Sequence, residues 1–261
     1  MVKVKDIAET IESFAPKDLQ ESYDNAGLQV GDPEMHVNAL MLCLDVNEDV
    51  LKEALKRECN LIVSHHPLIF KGIKQLTGAD PTQRLLIEAV KNNLAVYSAH
   101  TNLDSVWDGV SHEIAHKLSI KDLEVLEPRN PNEKAGLGVV GNINPVPKIE
   151  FLRKVKQTFN VSALRYSAQS PSVVVRRVAV CGGAGASLIN AAIRAKADIL
   201  VTGDVKYHDF TTFGSEIIIA DIGHYESELC SREILSRVIR GKYPELPTYF
   251  SDSESNPIKI L

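Results

Sequence analysis

Leu61-Ile62-Val63-Ser64-His65-His66-Pro67 places two adjacent imidazoles directly after a short apolar run. The run fits a buried strand. Successive residues on a strand point to opposite faces, so both rings can converge on one point only where the backbone turns. Pro67 favours such a break by fixing φ and removing a donor. Packing alone gives no reason for the pair. Three later segments offer partners of matching chemistry: His100-Thr101-Asn102-Leu103-Asp104, Gly203-Asp204-Val205-Lys206-Tyr207-His208 and His224-Tyr225-Glu226-Ser227-Glu228. Imidazoles and carboxylates gathered in this way point to a metal site.

Working outward, Val4, Ile7, Ala8, Ile11 and Phe14 predict a first helix that stops before Pro16. Tyr23 to Pro33 is rich in turn formers and reads as a loop leading into a short strand, with Asp24 and Asn25 placed to reach a site. Asn38 to Asp45 reads as a buried strand, and Asn47 as the cap of a helix carrying Val50, Leu51, Ala54 and Leu55 on one face. After the double histidine, Pro81 to Asn92 predicts a helix with Leu85, Leu86, Ala89 and Val90 inside. Leu94 to Ser98 is the next strand and delivers His100 and Asp104 beyond its carboxyl end; a helix over Gly109 to Leu118 follows.

Glu127 to Lys134 is polar and turn-rich and is the candidate boundary. It gives a first lobe over 1–127 and a second over 128–261, with the tail able to return to the first. In the second lobe, strands are expected over Gly136 to Ile143 and Val161 to Tyr166, with an amphipathic segment over Ile149 to Phe159 between them and a connector over Ser167 to Ser172. Strands over Arg177 to Cys181, Ile199 to Thr202 and Glu216 to Ala220 come next, then a helix over about His224 to Arg240 and a short strand near Thr248 to Ser251.

The halves echo each other. Met41 and Ala179 lie 138 positions apart in comparable strands, and so do Ile62 and Leu200 in the strands that follow. The expected fold is therefore α/β, with two related lobes built on mainly parallel sheets. Ligands of such sheets sit beyond the carboxyl ends of the strands, which is where both halves carry their polar clusters. The metal site is expected there, between the lobes.

Composition is that of a globular protein: 261 residues, 44% apolar, 24% charged and a net charge of −5. Neither a basic arm nor bulk positive charge supports nucleic-acid binding. No apolar stretch is long enough for a membrane span, and the N-terminus lacks the apolar core of a signal peptide. Cys43, Cys59, Cys181 and Cys230 show no C-x-x-C spacing and read as free thiols of a reducing cytoplasm.

His224 and Glu228, four apart on a predicted helix, share one face. With His65, His66 and Asp104 they make five candidate ligands, more than a closed zinc site uses. Two ions that activate a water and polarise a substrate would employ them all. With no cysteine in the set, Zn, Fe, Mn and Co are all compatible. His100 reads either as a group that orients a ligand or moves a proton, or as a hydrogen-bonded histidine at a strand end. His208 reads either as a substrate contact or as a loop histidine. His36, His112 and His116 are taken as surface residues, and Trp107 as a packing residue. Gly182-Gly183-Ala184-Gly185 lacks a P-loop ending; it is either a tight packing turn or a phosphate cradle.

Tyr23-Asp24-Asn25-Ala26-Gly27-Leu28, Ser64-His65-His66-Pro67, His100 to Asp104, Gly182 to Gly185, Gly203 to His208 and His224 to Glu228 resemble, in this order, the motifs of the Nif-three-like family, also called GTP cyclohydrolase 1 type 2 homologues. The chain resembles the compact form without an inserted domain. The resemblance implies a dinuclear centre on His65, His66, Asp104, His224 and Glu228, and a toroidal homohexamer. It also implies a small-molecule substrate, GTP or another phosphorylated heterocycle, opened by metal-activated water with loss of formate. His100 and His208 would then transfer protons. The alternative reading is a non-catalytic metal-handling or scaffold protein that forms a ring.

Overall fold

The structure, a computed structural model, describes residues 1–130, 133–167 and 174–261. Part of the polar segment 127–134 and most of the connector 167–172 lie outside the described residues. In chain order the elements are α1 (Val4–Phe14), β1 (Gly27–Val30), β2 (Leu40–Cys43), α2 (Glu48–Lys56), β3 (Leu61–Ser64), α3 (Pro81–Lys91), β4 (Ala95–Ser98), α4 (Thr101–Ser105), α5 (Val110–Lys117), β5 (Lys121–Pro128) and β6 (Gly136–Pro147). They continue with α6 (Lys148–Thr158), β7 (Arg165–Tyr166), β8 (Val174–Val180), α7 (Ile189–Arg194), β9 (Ile199–Thr202), α8 (Tyr207–Phe213), β10 (Ile218–Asp221), α9 (His224–Glu228), α10 (Ser231–Lys242) and β11 (Thr248–Phe250). The fold is mixed α/β with two sheets. No helix among the described residues is long and apolar enough to cross a membrane.

The first unit comprises Met1–Leu103 and Ser231–Ser255. Its sheet has the order β1-β4-β3-β2-β11, with β1 antiparallel at one edge and the other pairings parallel. Every residue of β2, β3 and β4 is buried, as expected for parallel strands covered on both faces. Met41, Ile62 and Val96 meet Val50, Leu51 and Ala54 of α2 and Leu85 and Ala89 of α3 in one cluster. Asn47 caps α2, its Oδ1 accepting from the amides of Asp49 and Val50 at 3.0 and 2.9 Å. Val90, expected inside, is 60% exposed, because it lies past the edge of the arc defined by Leu85, Leu86 and Ala89.

The second unit comprises Asp104–Cys230 and Asn256–Leu261. Its sheet has the order β5-β6-β8-β9-β10-β7. It is parallel at its centre, β8-β9-β10, and antiparallel on both flanks. Val140, Ala179, Leu200 and Ile219 pack against Leu188, Ile189 and Ala192. The internal echo holds at the level of register: Met41 pairs with Ile62 in the first sheet and Ala179 with Leu200 in the second.

Three further expectations change. The helix foreseen over His224 to Arg240 is two helices, α9 and α10, separated at Leu229 and Cys230. The strand expected over Val161 to Tyr166 is the two-residue β7. His112 is 3% exposed, because α5 turns Val110, Ser111, His112, Ile114 and Ala115 inward and the Trp107 ring covers the imidazole with centroids 4.2 Å apart. All four cysteines are free and buried.

Candidate metal centre

In the first unit the double histidine continues the ladder of β3 for two residues. The amides of His65 and His66 donate to the carbonyls of Cys43 and Leu44 at 3.2 and 2.9 Å. The turn is then pinned from inside, since Ser64 Oγ donates to the carbonyl of His66 at 2.8 Å and Ser98 Oγ to the same oxygen at 3.3 Å. The rings of His65, His66 and His100 consequently gather with centroids 5.1 to 5.5 Å apart.

Each ring is anchored through Nδ1. His65 Nδ1 donates to the carbonyl of Ala99 at 2.8 Å, His66 Nδ1 to Asp45 Oδ1 at 2.8 Å, and His100 Nδ1 to Asp24 Oδ1 at 2.7 Å. A carbonyl or carboxylate acceptor requires the proton on Nδ1, so the neutral ring presents its lone pair at Nε2. Histidine ligands of metals are held in this way.

Asp24 extends the arrangement. Its side chain is fully buried and also accepts from the amide and hydroxyl of Thr101 and from the amide of Asn25. Burial alone would raise its pKa, but the hydrogen bonds from His100 and Thr101 and the nearby imidazole hold its carboxyl well below the usual carboxylate range. Asn25 and Gln29 grip the chain just past the histidines: Asn25 Nδ2 donates to the carbonyl of Ile69 at 2.7 Å, and Gln29 Oε1 accepts from its amide at 3.1 Å. The turn-rich segment after Tyr23 is thus a clamp on both His100 and the loop that follows His66.

In the second unit the helical spacing of His224 and Glu228 brings His224 Nε2 to 2.8 Å from Glu228 Oε2. His224 Nδ1 meets Asp204 Oδ2 at 2.8 Å, repeating the anchoring seen on the other three rings. Asp221, at the carboxyl end of β10, fixes the start of α9 by accepting from the amides of Val205 at 3.0 Å and Gly223 at 2.9 Å. Gly203 is required where β9 meets α9, since a Cβ there would lie 2.8 Å from the backbone of Gly223 and of His224.

The glycine-rich turn after β8 serves the carboxylate. Gly183 has φ +61°, and a Cβ at this position would overlap the Glu228 carboxylate. The amides of Gly183 and Gly185 are taken by Ser227 Oγ and Thr202 Oγ1, both at 2.9 Å. The turn is a tight packing device, and these two amides are already committed within the protein. Burial, followed by the charges of Asp104 and Glu228, pushes the Cys181 thiol up, so both carboxylates act on the end of β8 while the thiol stays inert.

His65 and His66 of the first unit, and Glu228 of the second, each carry a donor atom suited to a metal ion. His65 and Glu228 are 0% and 4% exposed, and the imidazole and carboxylate donors with anchored Nδ1 atoms fit a divalent transition ion. Asp104 opens the second unit, where His224 is bonded to Glu228. His208 lies exposed on α8 beside Tyr207, ring centroids 5.4 Å apart. The carboxylates Asp45 and Asp204 behind His66 and His224 were not singled out by spacing. Their signal is that each lies two residues beyond the carboxyl end of a parallel strand.

Comparison with known proteins identifies the family and the fold. Residues 2–257 match the model of the family Duf34/NIF3 (NGG1p interacting factor 3). A Clostridium acetobutylicum protein named GTP cyclohydrolase 1 type 2 homolog is 34% identical over 266 residues, covering 99% of each chain. The Drosophila melanogaster NIF3-like protein 1 is 30% identical over 217 residues, 81% of this chain and 72% of that protein. The crystal structure of Staphylococcus aureus protein SA1388 superposes with a TM-score of 0.91 at 24% identity, covering 100% of this chain and 99% of that one. The chain belongs to the Duf34/NIF3 family.

Proposed function

We propose that this protein is a metal-dependent hydrolase with a centre for two divalent ions, acting on a small phosphorylated heterocycle such as GTP. His65, His66, Asp104, His224 and Glu228 would hold the ions, which when bound would polarise a water and the substrate. The observation that carries the reading is the common anchoring of His65, His66 and His100, each of which gives its Nδ1 proton to a carbonyl or carboxylate acceptor, while His224 stands between the Asp204 and Glu228 carboxylates. Packing would not require one tautomer three times.

The chain's own groups have separable tasks. Asp24 keeps the His100 proton on Nδ1, so Nε2 takes or returns a proton during ring opening. Ala99 and Asp45 aim His65 and His66, and Gly183 keeps room for the Glu228 carboxylate. His208, on its exposed helix, meets the substrate from the solvent side and carries a second proton. Assembly as a homohexamer in the cytoplasm belongs to the same reading and rests on the family resemblance.

Elemental analysis of untagged protein purified without chelators, followed by a formate-release assay with GTP, tests the proposal. Two ions per chain and formate release that vanishes in Glu228→Ala are expected. One tightly held ion with no second binding event would refute the dinuclear centre. Two ions with no turnover of GTP or other phosphorylated heterocycles would favour the non-catalytic, metal-handling alternative.

A further inference from the structure

Within the first unit, the loop between His66 and α3 borders an open cavity of about 730 Å³. Its walls are Pro67, Leu68, Phe70 and Ile73 on the apolar side and Lys71, Lys74, Asp80 and Gln83 on the polar side. The volume is that of a small-molecule site. Phe70 also faces His100, with ring centroids 6.2 Å apart and planes 82° apart, so one wall of the cavity borders the histidine cluster.

Most of the polar lining is already engaged in holding the loop. Asp80 caps α3, accepting from the amide of Gln83 at 2.9 Å and from Gln83 Nε2 at 2.8 Å. Gln83 Oε1 accepts from the amides of Thr77, Gly78 and Ala79. The other end of the loop is tied at Ile69 by Asn25 and Gln29. Lys71 and Lys74 are different. Both are exposed, and neither is paired with a carboxylate among the described residues. In a chain of net charge −5, the ammonium groups of Lys71 and Lys74, three residues apart, outnumber the single Asp80 carboxylate of the same cavity and leave its lining net positive. Lysine ammonium groups of this kind bind phosphate as point charges.

We infer that this cavity is the subsite for the phosphate portion of the substrate. Lys71 and Lys74 take the phosphate oxygens, and Phe70 lies against the ring portion on its way to His100. The inference names the ligand chemistry for the centre proposed above and rests on that reading for the direction in which the ligand points. The anion subsite itself is testable without turnover.

The test is isothermal titration with pyrophosphate, on protein as purified, for the wild type, K71Q/K74Q, K71R/K74R, F70A and H65A. Expected are saturable binding to the wild type, at least tenfold weaker binding to K71Q/K74Q, and recovery to within threefold in K71R/K74R, with melting temperature and metal content unchanged in the lysine variants. F70A should retain pyrophosphate binding, since pyrophosphate has no ring. H65A should retain it too, because the subsite does not depend on the metal donors. No wild-type binding at millimolar pyrophosphate would overturn the inference. So would binding that survives K71Q/K74Q and disappears in H65A, because the anion would then sit on the metal. Loss of pyrophosphate binding in K71Q/K74Q from a protein that contains no metal would leave the subsite in place and remove the hydrolase reading instead.

Discussion

Asp24 Oδ1 accepts the Nδ1 proton of His100 at 2.7 Å across 76 residues of chain. The carboxylate has no exposed surface, and its remaining acceptor capacity is filled by Thr101 and Asn25. A buried, fully satisfied carboxylate behind an imidazole fixes both the tautomer and the direction of the ring. His100 is 16% exposed, so the ring reaches the surface while its support does not.

Replacing Asp24 by Ala removes the support and leaves Nδ1 of His100 and the Thr101 amide without their acceptor. The expected cost is about 2–3 kcal/mol in urea unfolding, with D24N losing about half as much. If His100 moves a proton, D24N should lower kcat by more than tenfold with metal content and KM little changed. Unchanged kcat in D24N would confine Asp24 to a structural role.

The proposed metal donors should be separable from the fold. H65A, H66A and E228A should each lower the metal bound after dialysis by at least one ion per chain, while circular dichroism retains the α/β signature. Unfolding of all three variants would mark the metal as structural.

Gly183→Ala tests the cradle around Glu228. A Cβ there meets the carboxylate and must adopt a φ of +61°, so a loss of about 1–3 kcal/mol and at least tenfold weaker metal binding are expected. Gly72→Ala is the control, because nothing lies within 4 Å of its added carbon. Equal behaviour of the two variants would show that Glu228 has room to move.

Acid should weaken the fold in two steps. Burial of His112 lowers its pKa to about 4 from an ordinary 6.5, so it is neutral in the folded chain while the unfolded chain takes a proton below pH 6.5. Its contribution is therefore present above pH 6.5 and lost as pH falls towards 4, on the order of 2 kcal/mol. Glu53 runs lower. Burial would raise its pKa, but the Ser251 hydroxyl and the amides of Ser253 and Asp252 hold it at about 2, so its contribution is lost as pH falls from 4.5 towards 2. Urea unfolding at pH 7, 5.5, 4 and 3 should show H112Q flattening the upper limb and E53Q the lower. Parallel curves for wild type and both variants would contradict the assignment.

What the sequence disclosed was mostly local. His65 and His66 stand together, and the four-residue interval of His224 and Glu228 needs only a helix to bring them face to face. The supporting carboxylates depend on loops meeting over 20 to 76 residues, as at Asp45, Asp204 and Asp24, and periodicity carries no such information. β5 escaped notice because its residues are largely exposed and charged, so it lacks an apolar run. The division between the units falls between Leu103 and Asp104, inside the five-residue α4, where no change of composition marks it. His112 reads as one more polar position on a surface helix, whereas it lies on the inward face of α5 under the Trp107 ring.

The pairing of β11 with β2 joins Thr248 to Leu40. On the ribosome, β2 is therefore made long before the strand that covers its outer edge. At roughly 5–20 residues per second, that edge waits on the order of ten to forty seconds with its hydrogen-bonding groups unmatched. Leu40, Met41 and Leu42 are then an apolar edge open to other nascent chains, the usual hazard of an uncovered strand. Synthesis from the N-terminus thus leaves the first sheet as the last part of the chain to close, and its yield in the cell should depend on chaperones that occupy this edge until Tyr249 arrives.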